Sequence, residues 1–232
     1  MNQPMKTIAI DTSLSTGSVA AIDGDRIAVR SLPTAGEHAR LLAAAIESVA
    51  AELGWRPTAA ELVAVVRGPG SFTGLRVGAT TAKALCWATG SRLLGVSSCE
   101  VIARGTATAL GRHDSPVTVA FDAGRGEVFA AVVVPDRSSP SGWSVETGRL
   151  AAAHEWFAHL GSGSIVSGPG LALLTDALAD RPDLVVAPPT AWMPAIANVG
   201  RIAVLRAEAG EFDDPASLVP DYIRPSYADE KR

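Results

Sequence analysis

"RGPGSFTGLRVG", residues 67–78, places Gly68, Gly70, Gly74 and Gly78 in one short stretch and brackets them with Arg67 and Arg76. It follows a β-like run, Leu62 to Val66, and opens a helical pattern that reaches about Thr89, with Gly90 after it. Strand, glycine loop and helix in succession mean that backbone must come very close to something. Three things could lie there: a nucleotide phosphate, a peptide substrate, or another helix. The loop fits neither common phosphate fingerprint. No Gly-Lys-Ser/Thr follows at the Walker distance, and the third glycine falls one place late for G-x-G-x-x-G. Small residues recur every four positions, at Gly70, Gly74, Gly78, Ala82, Cys86 and Gly90. Such a ridge lets a second helix approach closely. The expectation is that the glycines serve helix packing, inside the lobe and across a subunit interface.

Working outward, residues 6–10 alternate and read as a strand ending at Asp11. Residues 18–22 and 26–32 are two more strands, joined by the turn Asp23-Gly24-Asp25. Residues 37–53 have helical periodicity and stop at Gly54; residues 93–96 form a strand; Ser97 and Ser98 cap a helix running toward Leu110. The chain then begins again. Thr118-Val119-Ala120-Phe121-Asp122-Ala123 echoes Thr7-Ile8-Ala9-Ile10-Asp11-Thr12, and Phe129-Ala130-Ala131-Val132 echoes Val19-Ala20-Ala21-Ile22 with a one-residue gap. A repeat on this scale predicts an α/β protein of two ribonuclease-H-like lobes, the actin-like duplication. The polar link 111–116 sets the lobes at 1–110 and 111–232, with a last long helix at 195–209 before a Pro-rich tail.

With 232 residues, 47% of them hydrophobic, the chain can bury a sizeable core. Its net charge of −4 argues against gripping RNA or DNA unaided, because phosphate contacts need a basic patch. Two cysteines, Cys86 and Cys99, make neither a disulfide framework nor a zinc spacing. The N-terminus lacks a signal-peptide run and no long apolar segment occurs, so the expectation is a soluble cytoplasmic protein without membrane contact.

Candidate chemistry is thin. His154 and His159 are five apart, about 140° around a helix at 100° per residue, and cannot share one ion. Ser71 is not in a G-x-S-x-G elbow, and Cys86 and Cys99 lack an evident base. No metal site and no catalytic residue is predicted. A nucleotide site remains as an alternative, built from Asp11, Thr12, Ser13 and Gly70 and holding ATP or ADP in the inter-lobe cleft or at a subunit interface. The first strand ends Asp-Thr-Ser rather than Asp-x-Gly, so such a cradle lacks its usual glycine. The helices at 37–53 and from 72 are apolar over most of their circumference, which calls for cover on two sides. One side is the sheet; the other suggests a partner chain.

These segments resemble the TsaB (YeaZ) family. The glycine loop resembles the family's signature; "IAIDTS" (8–13), "EHAR" (37–40), "GVSSCE" (95–100), "FDAGRGEVFAA" (121–131) and "PDYIR" (220–224) resemble its other segments in order. The family's Asp-Ala-Arg reads Asp122-Ala123-Gly124-Arg125 here, and Cys99 stands where a leucine is common. The resemblance implies a subunit of the machinery that makes threonylcarbamoyladenosine next to the tRNA anticodon. It implies a non-catalytic partner of a TsaD-like catalytic subunit, with a TsaE-like ATPase joining and tRNA met only within the complex. In the TsaD relatives two helix histidines hold the metal; here the matching positions are His38 and Leu42. The implied partner surface lies on the first two helices: His38, Leu41, Ala44, Phe72, Gly74, Leu75, Arg76, Gly78 and Ala82. Alone, such a chain is expected to pair with a second copy. A small actin-fold metabolite kinase is the alternative from another class, and a glycoprotease-like peptidase a weaker one.

Overall fold

The computed structural model describes residues 4–32 and 37–224. In chain order they form β1 (Thr7–Asp11), β2 (Gly17–Asp23), β3 (Arg26–Leu32), α1 (His38–Glu52), β4 (Leu62–Gly68), α2 (Phe72–Thr89), β5 (Arg92–Ser97) and α3 (Ser98–Leu110). There follow β6 (Val117–Gly124), β7 (Glu127–Pro135), β8 (Trp143–Val145), β9 (Arg149–Ala152), α4 (Ala153–Ala158), β10 (Ile165–Ser167), α5 (Thr175–Ala179), β11 (Val185–Val186) and α6 (Ile196–Glu208). A 3₁₀ segment, Pro169–Leu174, follows β10.

Both sheets have one strand order. The first runs β3-β2-β1-β4-β5 and the second β8-β7-β6-β10-β11, with β9 also paired to β7. In each, the first hairpin is antiparallel and the strands beyond it are parallel. This is the ribonuclease-H-like order, present twice, and the fold is the actin-like α/β class. The duplication extends to individual pairs. Thr7↔Ile22, Ile8↔Ala21, Ala9↔Ala20 and Ile10↔Val19 in β1–β2 correspond to Thr118↔Val132, Val119↔Ala131, Ala120↔Ala130 and Phe121↔Phe129 in β6–β7. The one-residue gap in the repeat comes from the tighter second turn. There Gly124, Arg125 and Gly126 all take positive φ, and the register shifts between Asp122 and Gly124. That turn is also what carries Arg125 one place late.

The chain divides into two compact units, one made of the residues up to Ser98 with Ile196–Asp221, the other of Cys99–Ala195 with the residues from Tyr222 on. These do not follow the boundary at 110/111 read from the sequence. Helix α3 goes with the second unit, where Thr106 Oγ1 donates to Ser167 Oγ at 2.8 Å and Arg104 reaches Ser141 O. Helix α6 goes with the first. Its Gly200 sits against Ile22 and Ala9, so close that a Cβ would meet the Ile22 side chain.

In the first unit the sheet is covered on both faces. Ile8, Ile10, Val63 and Val65 pack with Leu42, Ile46 and Val49 of α1 and with Ala79, Ala82 and Cys86 of α2. The other face meets α6 through Val199, Ile202 and Ala203, which are fully buried. That explains why β1 and β4 are nearly continuous apolar runs. Helix α2 starts at Ser71, whose Oγ accepts from Gly74 N–H, and ends at Gly90 in the left-handed region. In the second unit Trp156 and Phe157 of α4 are buried with Val128, Val166 and Leu171, while His154 and His159 remain exposed.

Gly74 supplies a test of this packing. Glycine to alanine in a helix ordinarily stabilises by roughly 0.5–1 kcal/mol. Here a Cβ would run into the Thr12 carbonyl oxygen. Gly74→Ala is therefore expected to destabilise, by about 1–3 kcal/mol in urea unfolding. A gain in stability would contradict the packing.

Candidate functional site

The glycine loop closes on the end of β1. Ser71 N–H donates to Ser13 O at 2.6 Å, and Thr12 Oγ1 donates to Gly74 O at 2.7 Å. A Cβ at Gly70 would lie 2.5 Å from Ser13 O, and one at Gly78 would lie 2.5 Å from Thr12 Oγ1. Gly68, at φ +131°, passes against the backbone of Asp221, whose N–H donates to Arg67 O at 2.7 Å. The Asp221 carboxylate also pairs with Arg67 Nε at 2.9 Å. Four glycines thus answer close approaches to three residues, Thr12, Ser13 and Asp221, all inside the first unit. The expected ridge for a neighbouring helix is instead the face with which α2 meets the strand ends.

The residues predicted for a nucleotide are brought together, but on each other. Asp11, Thr12 and Ser13 are buried. Asp11 Oδ1 accepts from Ser13 N–H at 2.8 Å, and Thr12 and Ser13 bond to the Gly70–Gly74 segment. Thr12 Oγ1, Asp11 Oδ1 and the Ser13 backbone are engaged within the unit, while Ser13 Oγ is buried without a hydrogen-bond partner. Burial pushes the Asp11 carboxyl above its ordinary value, against the opposing pull of Ser13 and of His38.

The predicted partner residues separate into two groups. His38, Gly74, Leu75, Gly78 and Ala82 are buried. The period-four pattern was real, but it faces the sheet. Ala44, Phe72 and Arg76 are exposed and Leu41 is half-buried. Around α2 the exposed positions are Phe72, Thr73, Arg76, Thr80, Ala84, Trp87 and Ala88, which fall on one side at 100° per residue. Trp87 is 89% exposed. The Arg76 guanidinium stacks on the Phe72 ring at 3.9 Å. Trp87 and Ala84 escaped the sequence reading because the small-residue ridge drew attention to the opposite face.

A cavity of about 180 Å³ opens where α1 and α2 begin, lined by His38 and Ala39, by Ser71, Thr73, Gly74 and Val77, and by Leu14. Of these, the sequence singled out His38 and Gly74 for a partner surface and weighed Ser71 only as a nucleophile. The available signal was two helix starts with no acidic residue in the first turn.

The Asp11 environment sets a pH dependence. A carboxyl that binds its proton more tightly folded than unfolded favours the fold at low pH. That advantage is lost as pH rises from the ordinary value of 3.8 through the raised folded value. Asp11→Asn keeps an acceptor for Ser13 N–H and removes the charge. Its stability relative to the parent should therefore climb with pH above about 4 and then level off. Urea midpoints of the two proteins across that range measure it; a relative stability that falls with pH would contradict the burial.

With this geometry in place, comparison with known proteins identifies the chain's relatives. The family model described as "TsaD: tRNA N6-adenosine threonylcarbamoyltransferase" matches residues 33–137. The Bacillus subtilis tRNA threonylcarbamoyladenosine biosynthesis protein TsaB is 32% identical over 146 residues, covering 58% of this chain and 62% of that protein. Its Escherichia coli namesake is 31% identical over 127 residues, covering 55% of this chain and 54% of that protein. The chain thus spans between half and two thirds of the length of the curated relatives it matches. Among solved structures, YeaZ from Pseudomonas aeruginosa superposes with a TM-score of 0.78 at 20% identity, over 94% of this chain and 99% of that one. Over the matched segments the chain is thus similar to TsaB proteins, and it shares the fold of a YeaZ structure.

Proposed function

We propose that this chain is a non-catalytic subunit of the complex that adds a threonylcarbamoyl group to the adenosine next to the tRNA anticodon. It binds a TsaD-like catalytic subunit through the outer faces of α1 and α2. A TsaE-like ATPase joins the assembly, and tRNA is met only there. The observation that carries the docking face is Trp87. An indole left 89% exposed, on a helix side where Arg76 is the one charged residue in the exposed class, is costly to leave in water. Tryptophan on a surface of small residues is the kind of anchor that dominates interface energies. Ala39, Ala43, Ala44 and Ala51 of α1 present a similarly small surface, with Arg40, Glu47 and Glu52 among them. When no partner is present, the same faces join two copies.

The non-catalytic assignment is supported by Leu42. It stands where the resemblance places the second histidine of a metal pair, and it is buried in the core. The net charge of −4 supports contact with tRNA through the assembled complex rather than by this chain alone. No described helix is long and apolar enough to cross a membrane.

Two substitutions test the docking face without touching the core. Trp87→Ala and Ala84→Arg should each weaken binding to the TsaD-like subunit by roughly tenfold to a hundredfold. Melting temperatures should stay within about a degree or two, because both sites are exposed. In a reconstituted tRNA-modification assay, product formation should depend on this chain and fall with either variant at limiting concentration. Full activity without the chain, or unchanged affinity in both variants, would overturn the proposal.

A further inference from the structure

Two long helices point their N-terminal ends at one small cavity. Helix α1 begins at His38 and α2 at Phe72, and the 180 Å³ space between their first turns is lined from both. First-turn N–H groups have no partner within their own helix, and the aligned peptide dipoles put positive potential there. Neither first turn contains an acidic residue to balance it. Glu37 precedes α1 but makes no capping bond; its carboxylate pairs with Arg40 at 2.7 Å. On α2, Ser71 Oγ satisfies Gly74 N–H and leaves the N–H of Thr73 to other partners.

His38 supplies an independent observation. It lines the cavity and is 4% exposed, and its Nε2 is buried without a hydrogen-bond partner. A buried polar atom without a partner is costly and calls for an explanation. Asp11, which interacts electrostatically with His38, does not line the cavity, and its Oδ1 is taken by Ser13 N–H. Leu14, Ala39 and Val77 make the rest of the lining apolar. We propose that this cavity binds a small oxyanion, received by the first-turn N–H groups of α1 and α2 and by the His38 imidazole. The anionic head is a phosphate or a carboxylate; the apolar lining takes a short aliphatic stem if one is attached. This is a different place from the Asp11–Ser13 cradle, and it does not depend on the docking proposal.

The test uses the full chain alone, labelled with ¹⁵N and titrated at constant ionic strength with inorganic phosphate, with butyrate, and with chloride as control. Phosphate or butyrate should shift the Ala39, Thr73 and Gly74 amides and the His38 imidazole in a saturable way, chloride far less. Stronger phosphate binding assigns a phosphate head; stronger butyrate binding assigns a carboxylate on an aliphatic stem. Ala39→Asp places a carboxylate of the chain's own in the first turn of α1 at an exposed position. It should raise the melting temperature and weaken anion binding by at least about tenfold. His38→Ala should weaken binding as well; if it fails to fold, Ala39→Asp alone decides. Shifts no larger than those of chloride, or binding unaltered in Ala39→Asp, would overturn the site.

Discussion

The first unit depends on one close approach. The backbone of residues 70–74 lies against the backbone that leaves β1 at Thr12 and Ser13. Two hydrogen bonds fasten it, Ser71 N–H to Ser13 O and Thr12 Oγ1 to Gly74 O. No side chain fits between the two segments, so the loop can be built only with glycine at the points of contact. Once the loop is seated, α2 is fixed in position and in rotation. Its small residues turn to the sheet, and Phe72, Ala84 and Trp87 turn outward. The same loop holds the tail, since Arg67 and Gly68 receive Asp221. Segments far apart in sequence are tied at one end of the sheet.

That rotation connects fold to function. A helix with small residues every four positions can use them for a partner or for its own sheet, but not for both. Here the sheet takes them, and what remains for a partner is a face with one exposed tryptophan, small residues and Arg76 stacked on Phe72. Burial of Asp11 follows from the same closure. Thr12 Oγ1 and the Ser13 backbone are spent on holding the loop, and the unsatisfied imidazole of His38 lies beside the helix starts.

Much of the fold could be read in the chain. The echo of residues 7–12 in 118–123 matched the real register of β1–β2 and β6–β7 pair for pair, because β-branched and alanine positions repeat where the same neighbours recur. The unit boundary could not be read that way. Helix α6 follows the second repeat in sequence but packs through Gly200 on Ala9 and Ile22, a tertiary choice that leaves no local mark. The second repeat was also harder to follow beyond its hairpin. Its third strand is split into β8 and β9, and β10 has three residues where β4 has seven. Val166-Ser167-Gly168-Pro169-Gly170 repeats the Gly-Pro-Gly of the first loop, and Gly168 and Gly170 again close on a neighbouring strand, at Ala120 and Phe121. The site was read least well. Periodicity identified the glycine ridge but not the side on which it is used, since a small-residue stripe suits a sheet as well as a helix.

The most direct measurement compares thermal and urea unfolding of Gly78→Leu with that of Ala84→Leu. Both put leucine on α2, one on the inner side beside Thr12 and one on the outer side. The account predicts that Gly78→Leu loses about 1–3 kcal/mol or more from overpacking. Ala84→Leu should stay within about 0.5 kcal/mol of the parent. A Gly78→Leu protein that keeps its stability, and loses only partner binding, would contradict the inward placement of the glycine face.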